Sequence, residues 1–432
     1  MNRIIFAAAV ATGAALLTSL AHAAQEFSIS LNAGATYTDN VGRVSDNEQS
    51  ETMAGAGLQM SLVNREDRLQ TNIAADLQYR HFLDDSFDDE LVGGLNGDLR
   101  YWFVPNRFAW IVQDNLAQAL IDPRAVDTAA NRQNINFFST GPDFRLRLGA
   151  RTDLAVQGRW SDASYEDSDV DNQRLTGSVS VIRHLAPTRS LSLNGTASRV
   201  EYDQSPPNSD YDTQSASLGF NAQGTRTTLD LQAGYTSLHD FGDSSDGPLF
   251  SLAVTRKVAA RSTLSLNAGT NLIDTAEAFR RDSAIGGVSP DIGDAIVSRD
   301  PFQSDYLTIG LRVDGGRTGI RAAVDWRKED HERDDALNRE LRGASLELSR
   351  QLTPALTARL SGAWNMQDFD ESSVDFDEWS VGAGIDWGFS RSFTVSLRGD
   401  HFTGSGDTST GNGVRDYEEN RIALRISYRP AR

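Results

Sequence analysis

Thr71-Asn72-Ile73-Ala74-Ala75-Asp76-Leu77-Gln78-Tyr79 is the stretch that decides the fold. With Leu69 before it, Leu69, Ile73, Ala75, Leu77 and Tyr79 fall on one side of an extended chain. Gln70, Asn72, Asp76 and Gln78 fall on the other. A β-strand sends successive side chains to opposite faces, so this segment reads as a strand with one apolar and one polar side. The same unit recurs from Glu26 to Arg429: a strand of about a dozen residues, a short turn, a second strand, then a longer acidic loop. That rhythm predicts an all-β chain, a transmembrane antiparallel up-and-down β-barrel.

Strands are expected near 26–38, 51–63, 68–82, 91–103, 108–119, 134–148, 152–165, 172–185, 189–202 and 211–222. The series continues near 226–239, 248–257, 261–274, 304–314, 317–330, 339–350, 355–368, 375–388, 391–403 and 415–429. The total is about 20, an even number as single-chain bacterial barrels require. Gly141-Pro142 interrupts the sixth; proline donates nothing to a ladder, so a bulge is expected there. Connections alternate between short, such as Ala186-Pro187-Thr188, and long, such as Gly404 to Val414. Short periplasmic turns and long extracellular loops follow, with both ends of the barrel chain on the periplasmic side. The acidic loops would then meet lipopolysaccharide and divalent cations.

Residues 1–23 read as a cleaved signal peptide: Arg3 in the n-region, an apolar run from Ile4 to Leu20, and Ala21-His22-Ala23 as a small-x-small site. The barrel would occupy 24–432. Loss of Arg3 takes the formal charge from -19 to -20, which disfavours nucleic acid as a partner. The chain has no cysteine, hence no disulfide or thiolate chemistry. A mean hydropathy of -0.42 suits a barrel, in which only alternate strand residues meet lipid.

The polar faces carry charge. Arg145, Arg147, Arg159, Arg312, Asp314, Arg321, Asp325, Arg327 and Arg359 are expected to line the lumen, because a charge on the lipid face at mid-bilayer costs about 2–4 kcal/mol. Such charges either pair across strands and stiffen the wall or line a conduit for a hydroxyl-rich solute. Trp102, Trp110, Trp326, Trp379 and Trp387 fall near strand ends with Tyr37, Tyr79, Tyr101 and Tyr235. Interfacial girdles account for them, although an inward Trp such as Trp102 would suit carbohydrate stacking.

The longest loop, Thr275 to Gln303, carries Arg280, Arg281, Gly286, Gly287 and Pro290. Loops beyond about 12–15 residues are usually functional or disordered, so it is either a constriction folded into the pore or an exposed cap. No HExxH and no G-x-S-x-G elbow occurs. His401 near Ser405 is a weak catalytic candidate. Asp84 to Glu90 and Asp240 to Asp246 are acidic loops without EF-hand spacing, so no cofactor or metal is assigned.

Thr36-Tyr37-Thr38-Asp39-Asn40-Val41 at the end of the first strand, followed by Leu77-Gln78-Tyr79-Arg80-His81-Phe82, resembles the opening of the β-barrel porin 2 family. It is also similar to the outer-membrane barrels of exopolysaccharide, PEP-CTERM-associated loci. The resemblance implies an outer-membrane barrel linked to polysaccharide export, and it supplies no catalytic residues. Asn420 to Arg429 looks like the terminal strand that the barrel-assembly machinery reads, with Tyr428 in place of the usual terminal aromatic. The expected function is therefore a porin-like channel for polar solutes, with exopolysaccharide export as its specific form and periplasmic export components as partners. A closed structural or adhesive barrel is the alternative, and a barrel enzyme acting on lipid or polysaccharide a weaker one.

Overall fold

The computed structural model describes residues 25–203, 210–240, 244–286, 296–370, 375–407 and 416–430. The expected leader lies outside them. The strands are β1 (Gln25–Thr38), β2 (Glu51–Arg65), β3 (Leu69–Phe82), β4 (Glu90–Val104), β5 (Phe108–Leu120), β6 (Arg132–Gly149) and β7 (Thr152–Tyr165). Next come β8 (Asn172–Ala186), β9 (Arg189–Tyr202), β10 (Tyr211–Gln223), β11 (Thr227–Asp240), β12 (Ser244–Ala259), β13 (Ser262–Ile273) and β14 (Phe302–Gly315). β15 (Thr318–His331), β16 (Arg339–Thr353), β17 (Leu356–Phe369), β18 (Asp375–Trp387), β19 (Phe393–Asp407) and β20 (Tyr417–Tyr428) complete the set. One helix, α1 (Thr275–Gly286), follows β13.

Each strand pairs antiparallel with its sequence neighbours, and β20 returns to β1 from Leu31↔Tyr428 to Thr38↔Arg421. The 20-stranded sheet is therefore a closed barrel. Closure leaves no strand edge, which is what allows a sheet to sit in lipid, where unpaired backbone groups find no water. The periodicity that predicts a strand at 152–165 or 189–202 ends at the residues where β7 and β9 end. In β8, Leu175, Val179 and Val181 stand exposed on the outside, while Arg174, Thr176 and Ser178 take the inner positions.

Aromatic rows mark the turn end of the outer wall. Tyr101, Phe103, Phe108 and Phe144 follow one another with ring centroids 5.0, 5.0 and 4.6 Å apart. Trp387, Phe389, Phe393 and Tyr428 form a second row at 5.6, 5.7 and 4.9 Å. Tyr428 thus packs into the interfacial girdle at the end of the last strand. Strand register puts Trp110, Trp160, Trp326, Trp364, Trp379 and Trp387 on the outside and Trp102, level with Arg100 and opposite Ala109, on the inside.

The bulge expected at Gly141-Pro142 is absent. The β6–β7 register runs from Thr140↔Trp160 to Asp143↔Gln157 without a shift, and β5 meets Pro142 and Gly141 in unbroken register. Glycine is required here, because a Cβ on Gly141 would lie 2.0 Å from the Gly158 carbonyl oxygen. Arg159 donates to the Pro142 and Gly158 carbonyls at 3.0 and 2.7 Å, so the missing proline donor strands no acceptor. The register shifts instead occur beside short turns, as at Arg147/Gly149 and Gln351/Thr353.

Val324 and Ala323 are adjacent at the centre of β15 and face opposite sides; Val324 is 58% exposed on the outer wall. Val324→Arg is expected to lose about 2–4 kcal/mol of stability in lipid vesicles. Ala323→Arg, pointing into the hydrated lumen, should change it little. Denaturant titration of both in vesicles checks this, and equal losses would contradict the assigned facing.

Candidate functional site

The lumen differs at its two ends. At the loop end, three of the described segments fold inward. The first is Asp274 with α1 and the returning chain at 296–300. Asp274 caps α1, its carboxylate accepting the Glu277 backbone N–H at 2.9 Å. The same buried carboxylate accepts hydrogen bonds from the Arg174 guanidinium of β8 and the Tyr211 hydroxyl of β10. Ala276 and Phe279 pack against Ala119, Ile135, Phe137, Ala163 and Tyr165 on the inner faces of β5, β6 and β7. Thr275 Oγ1 donates to the Ile296 carbonyl at 2.7 Å, tying the outgoing and returning chain together. Ile296 then reaches Phe369 and Leu337. Asp300 accepts the backbone N–H groups of Arg333 and Asp334, both at 2.9 Å, and burial raises its pKa above the ordinary carboxylate value.

The second segment is the β1–β2 loop. Arg43, held at φ +49°, inserts between the rings of Phe402 and Tyr417, 5.0 and 5.2 Å from their centroids. Its guanidinium bonds Glu419 at 3.0 Å and Glu378 at 3.1 Å, with Asp127 at 3.9 Å. Burial alone would lower the Arg43 pKa; the neighbouring Tyr417 and acids more than reverse that, so it stays charged. The third segment is the β5–β6 loop, which crosses the mouth. Arg124 donates to the Ala336 carbonyl and lies 5.2 Å over Phe369, and Gln367 donates to the Pro123 carbonyl at 3.2 Å.

Below this closure the inner wall has two halves. At mid-height, β8 to β13 present uncharged hydroxyls and amides: Ser178, Thr196, Ser215, Gln232, Ser251 and Asn267. β14 to β20 present paired charges. Arg321 bonds Glu347 at 3.0 Å, Arg359 bonds Asp386 at 2.6 Å and Glu347 at 3.5 Å, and Arg398 bonds Asp400 at 2.8 Å. At the turn end, between β2 and β7, lies a cavity of about 730 Å³ lined by Asn72, Asp98, Arg100, Gln113, Gln157 and Arg159.

All nine charges expected on the lumen face take inner positions in the strand register. Arg145 is exposed near the turns. Arg147 lies 3.6 Å from Asp153, which also holds His184 Nε2 at 3.1 Å. Arg159 bonds Asp143 at 2.5 Å, Arg312 bonds Asp314 at 3.0 Å along β14, and Arg327 lies 3.6 Å from Glu329. Asp325 faces Gly343 across β15 and β16, and a Cβ on Gly343 would meet its carboxylate at 2.5 Å. Arg280 pairs with Glu277 within α1 at 2.9 Å. Gly286 ends α1. The Arg281 side chain, Gly287 and Pro290 lie outside the described residues.

His401 does not engage Ser405. Its ring nitrogens meet Asn420 Oδ1 at 2.9 Å and Thr403 Oγ1 at 3.2 Å. In the acidic loop after β3, Asp89 receives the Tyr79 hydroxyl at 2.5 Å and lies 2.6 Å from His81 Nδ1. Glu51 accepts the backbone N–H groups of Asp84 and Ser86 at 3.0 and 3.3 Å, which folds that loop over the barrel rim. No group of three potential metal ligands occurs among the described residues.

Sequence reasoning missed Asp274, Arg174, Tyr211, Arg43 and Arg124. Only the first had a local signal: Asp274-Thr275-Ala276-Glu277 is a capping residue with an acid three positions on, a helix-start pattern.

Ala278 is 2% exposed on α1, and the chain has no native cysteine, so Ala278→Cys reports whether α1 stays docked. The thiol should resist maleimide in the parent. Removing one partner of a buried ion pair costs about 3–5 kcal/mol, so adding Asp274→Ala should make it label readily. Asp274→Ser keeps a capping oxygen without the charge and should fall between. Equal labelling rates in all three would mean that the apolar contacts hold α1 unaided.

No family model and no curated protein matches the chain. Among solved structures, the FrpB iron transporter from Neisseria meningitidis (F3-3 variant) is similar over 96% of this chain and 83% of its own, at 9% identity and a TM-score of 0.45. The siderophore receptor PiuA from Acinetobacter baumannii is similar over 93% and 82%, at 9% identity and a TM-score of 0.46. The copper transporter OprC is similar over 94% and 80%, at 11% identity and a TM-score of 0.44.

Proposed function

We propose that the protein is an outer-membrane conduit for a hydroxyl-rich solute, a secreted polysaccharide on its way out, and that α1 with the returning chain at 296–301 is its closure. The observation that carries this reading is the wall itself. At mid-height, half of its inner face is an uncharged field of hydroxyls and amides, from Ser178 on β8 to Asn267 on β13. Each hydrogen bond that replaces one to water is worth only about 0.5–1.5 kcal/mol net, so a sugar chain is held at many weak points and slides from one to the next. On the opposite half, Arg321, Arg359 and Arg398 are each paired with an acid, which reduces their pull on a passing ion. The likeness of Thr36–Val41 and Leu77–Phe82 to barrels of exopolysaccharide loci supports the same direction.

The inward-folded segments at the loop end fit a conduit that opens on demand. Turning a 1:99 equilibrium into 99:1 takes about 5.5 kcal/mol of differential binding. A periplasmic export component or the solute chain itself would supply it by binding only the open form. A second reading rests on the same inward-folded segments: a structural barrel that displays its acidic loops and conducts nothing.

Planar-bilayer conductance separates the two. The parent barrel should be silent or flicker rarely, and a variant with residues 276–301 shortened should conduct steadily. Silence in both, with a folded barrel confirmed by spectroscopy, would remove the conduit reading and leave the structural one.

A further inference from the structure

We propose that the turn-end cavity is a binding subsite for a neutral saccharide, with Trp102 as its stacking platform. The inference deepens the conduit reading by giving it an entry site and a substrate class. At about 730 Å³ the cavity falls in the range of small-ligand sites, about 300–1,000 Å³.

Its charges cancel locally. Asp143 lies between two guanidiniums, bonding Arg159 at 2.5 Å with Arg100 at 3.7 Å. Asp98 accepts from Gln113 Nε2 at 2.6 Å. Two acids face Arg100 and Arg159, and the third arginine of the lining, Arg65, lies 4.0 Å from Glu26, so no lone charge is left to select an ion. What they present instead are planar groups that donate and accept at fixed spacing. Asn72, Gln113 and Gln157 add amides of the same kind, each carrying both a donor and an acceptor. Adjacent sugar hydroxyls, which also donate and accept, are the natural complement. An acidic sugar would have to compete with Asp143 for its arginines.

The aromatic element is specific. Of the seven tryptophans, all among the described residues, six face lipid and Trp102 alone faces the lumen. It stands outside the lining proper, two residues beyond Arg100 on the same inner face toward the turn, and the Arg100 guanidinium, which does line the cavity, lies 5.6 Å from the indole centroid. That contact fixes the ring while leaving it partly exposed. The electron-rich face of an indole suits the C–H face of a pyranose, and the amides of the adjoining cavity suit its hydroxylated edge. A girdle role does not explain an inward ring, since the outer rows are built from other residues on the same strands.

The test is ¹⁹F NMR on 5-fluorotryptophan-labelled full chain, refolded in a detergent without a sugar headgroup. The probes are neutral gluco-, manno- and galacto-oligosaccharides and oligogalacturonate. Trp102→Phe identifies the Trp102 resonance by its loss. At least one neutral oligosaccharide should shift that resonance alone. Gln113→Ala with Gln157→Ala should weaken the shift by about tenfold, the equivalent of one or two lost hydrogen bonds. An unmoved Trp102 resonance across the neutral panel, or a shift with oligogalacturonate only, overturns the proposal. The result is independent of conductance: a responsive Trp102 in a barrel that never conducts keeps the subsite and removes the conduit, and a conducting barrel with an unmoved Trp102 does the reverse.

Discussion

Backbone hydrogen bonding in lipid is the constraint on which the rest of this structure depends. A peptide group facing hydrocarbon has no water to bond, so every strand must have a partner on both sides and the sheet must close. The β1–β20 seam achieves this with the shortest ladder in the barrel. It spans Leu31 to Thr38 on β1, whereas β1 meets β2 along its full length from Gln25 to Thr38. Above the seam, the network around Arg43 adds a second fastening. Thr38 donates to Glu419 at 2.7 Å, and Asn40 donates to the Glu418 carbonyl at 2.9 Å, so the first loop is bonded to the last strand. The two ends of the sequence are thus joined by buried polar contacts where the ladder itself is short.

Closure of the mouth uses different physics. The wall is uniform and repetitive, while the inward segments are held by a few specific points: Asp274 with Arg174 and Tyr211, Arg43 with two glutamates, Arg124 with a backbone carbonyl. A buried ion pair contributes little net stability over a well-packed apolar contact, because desolvation offsets most of the attraction. Its effect is selectivity, since a charge buried without its partner is strongly disfavoured. These polar points therefore favour one docked position of α1 over shifted ones, whereas the apolar cluster around Ile135 and Phe137 on its own would tolerate sliding.

The wall was legible in the sequence because its determinants are local. Alternation over 152–165 or 317–328 needs no knowledge of distant residues, and a charge on one face of a strand identifies that face as inner. The misreading at Gly141-Pro142 has the same origin in reverse. Proline's lost donor is a local fact, but the remedy comes from Gly158 and Arg159 on the next strand. The plug residues were illegible for a stronger reason. Arg43 and Glu419 are 376 positions apart, and nothing near either announces the other. Asp274 could be read as a helix cap, yet its bonds to Arg174 and Tyr211 depend on where α1 lands after the barrel has closed.

The cavity and the plug share a part of the wall, and this limits how one can influence the other. The inner faces of β5, β6 and β7 carry Ala119, Phe137 and Tyr165 under α1 at one end. Toward the other end they carry Gln113, Asp143 and Arg159 around the cavity. These strands are hydrogen-bonded along both edges, so they transmit no large movement from one end to the other. A short saccharide bound at Trp102 therefore has no means of preferring the open state, and by linkage it shifts no equilibrium. Only a chain long enough to reach from the turn end to α1, or a partner acting on the loops directly, contacts both states differently. Opening would then depend on solute length, which is the property that separates a polymer from the small sugars that share its chemistry.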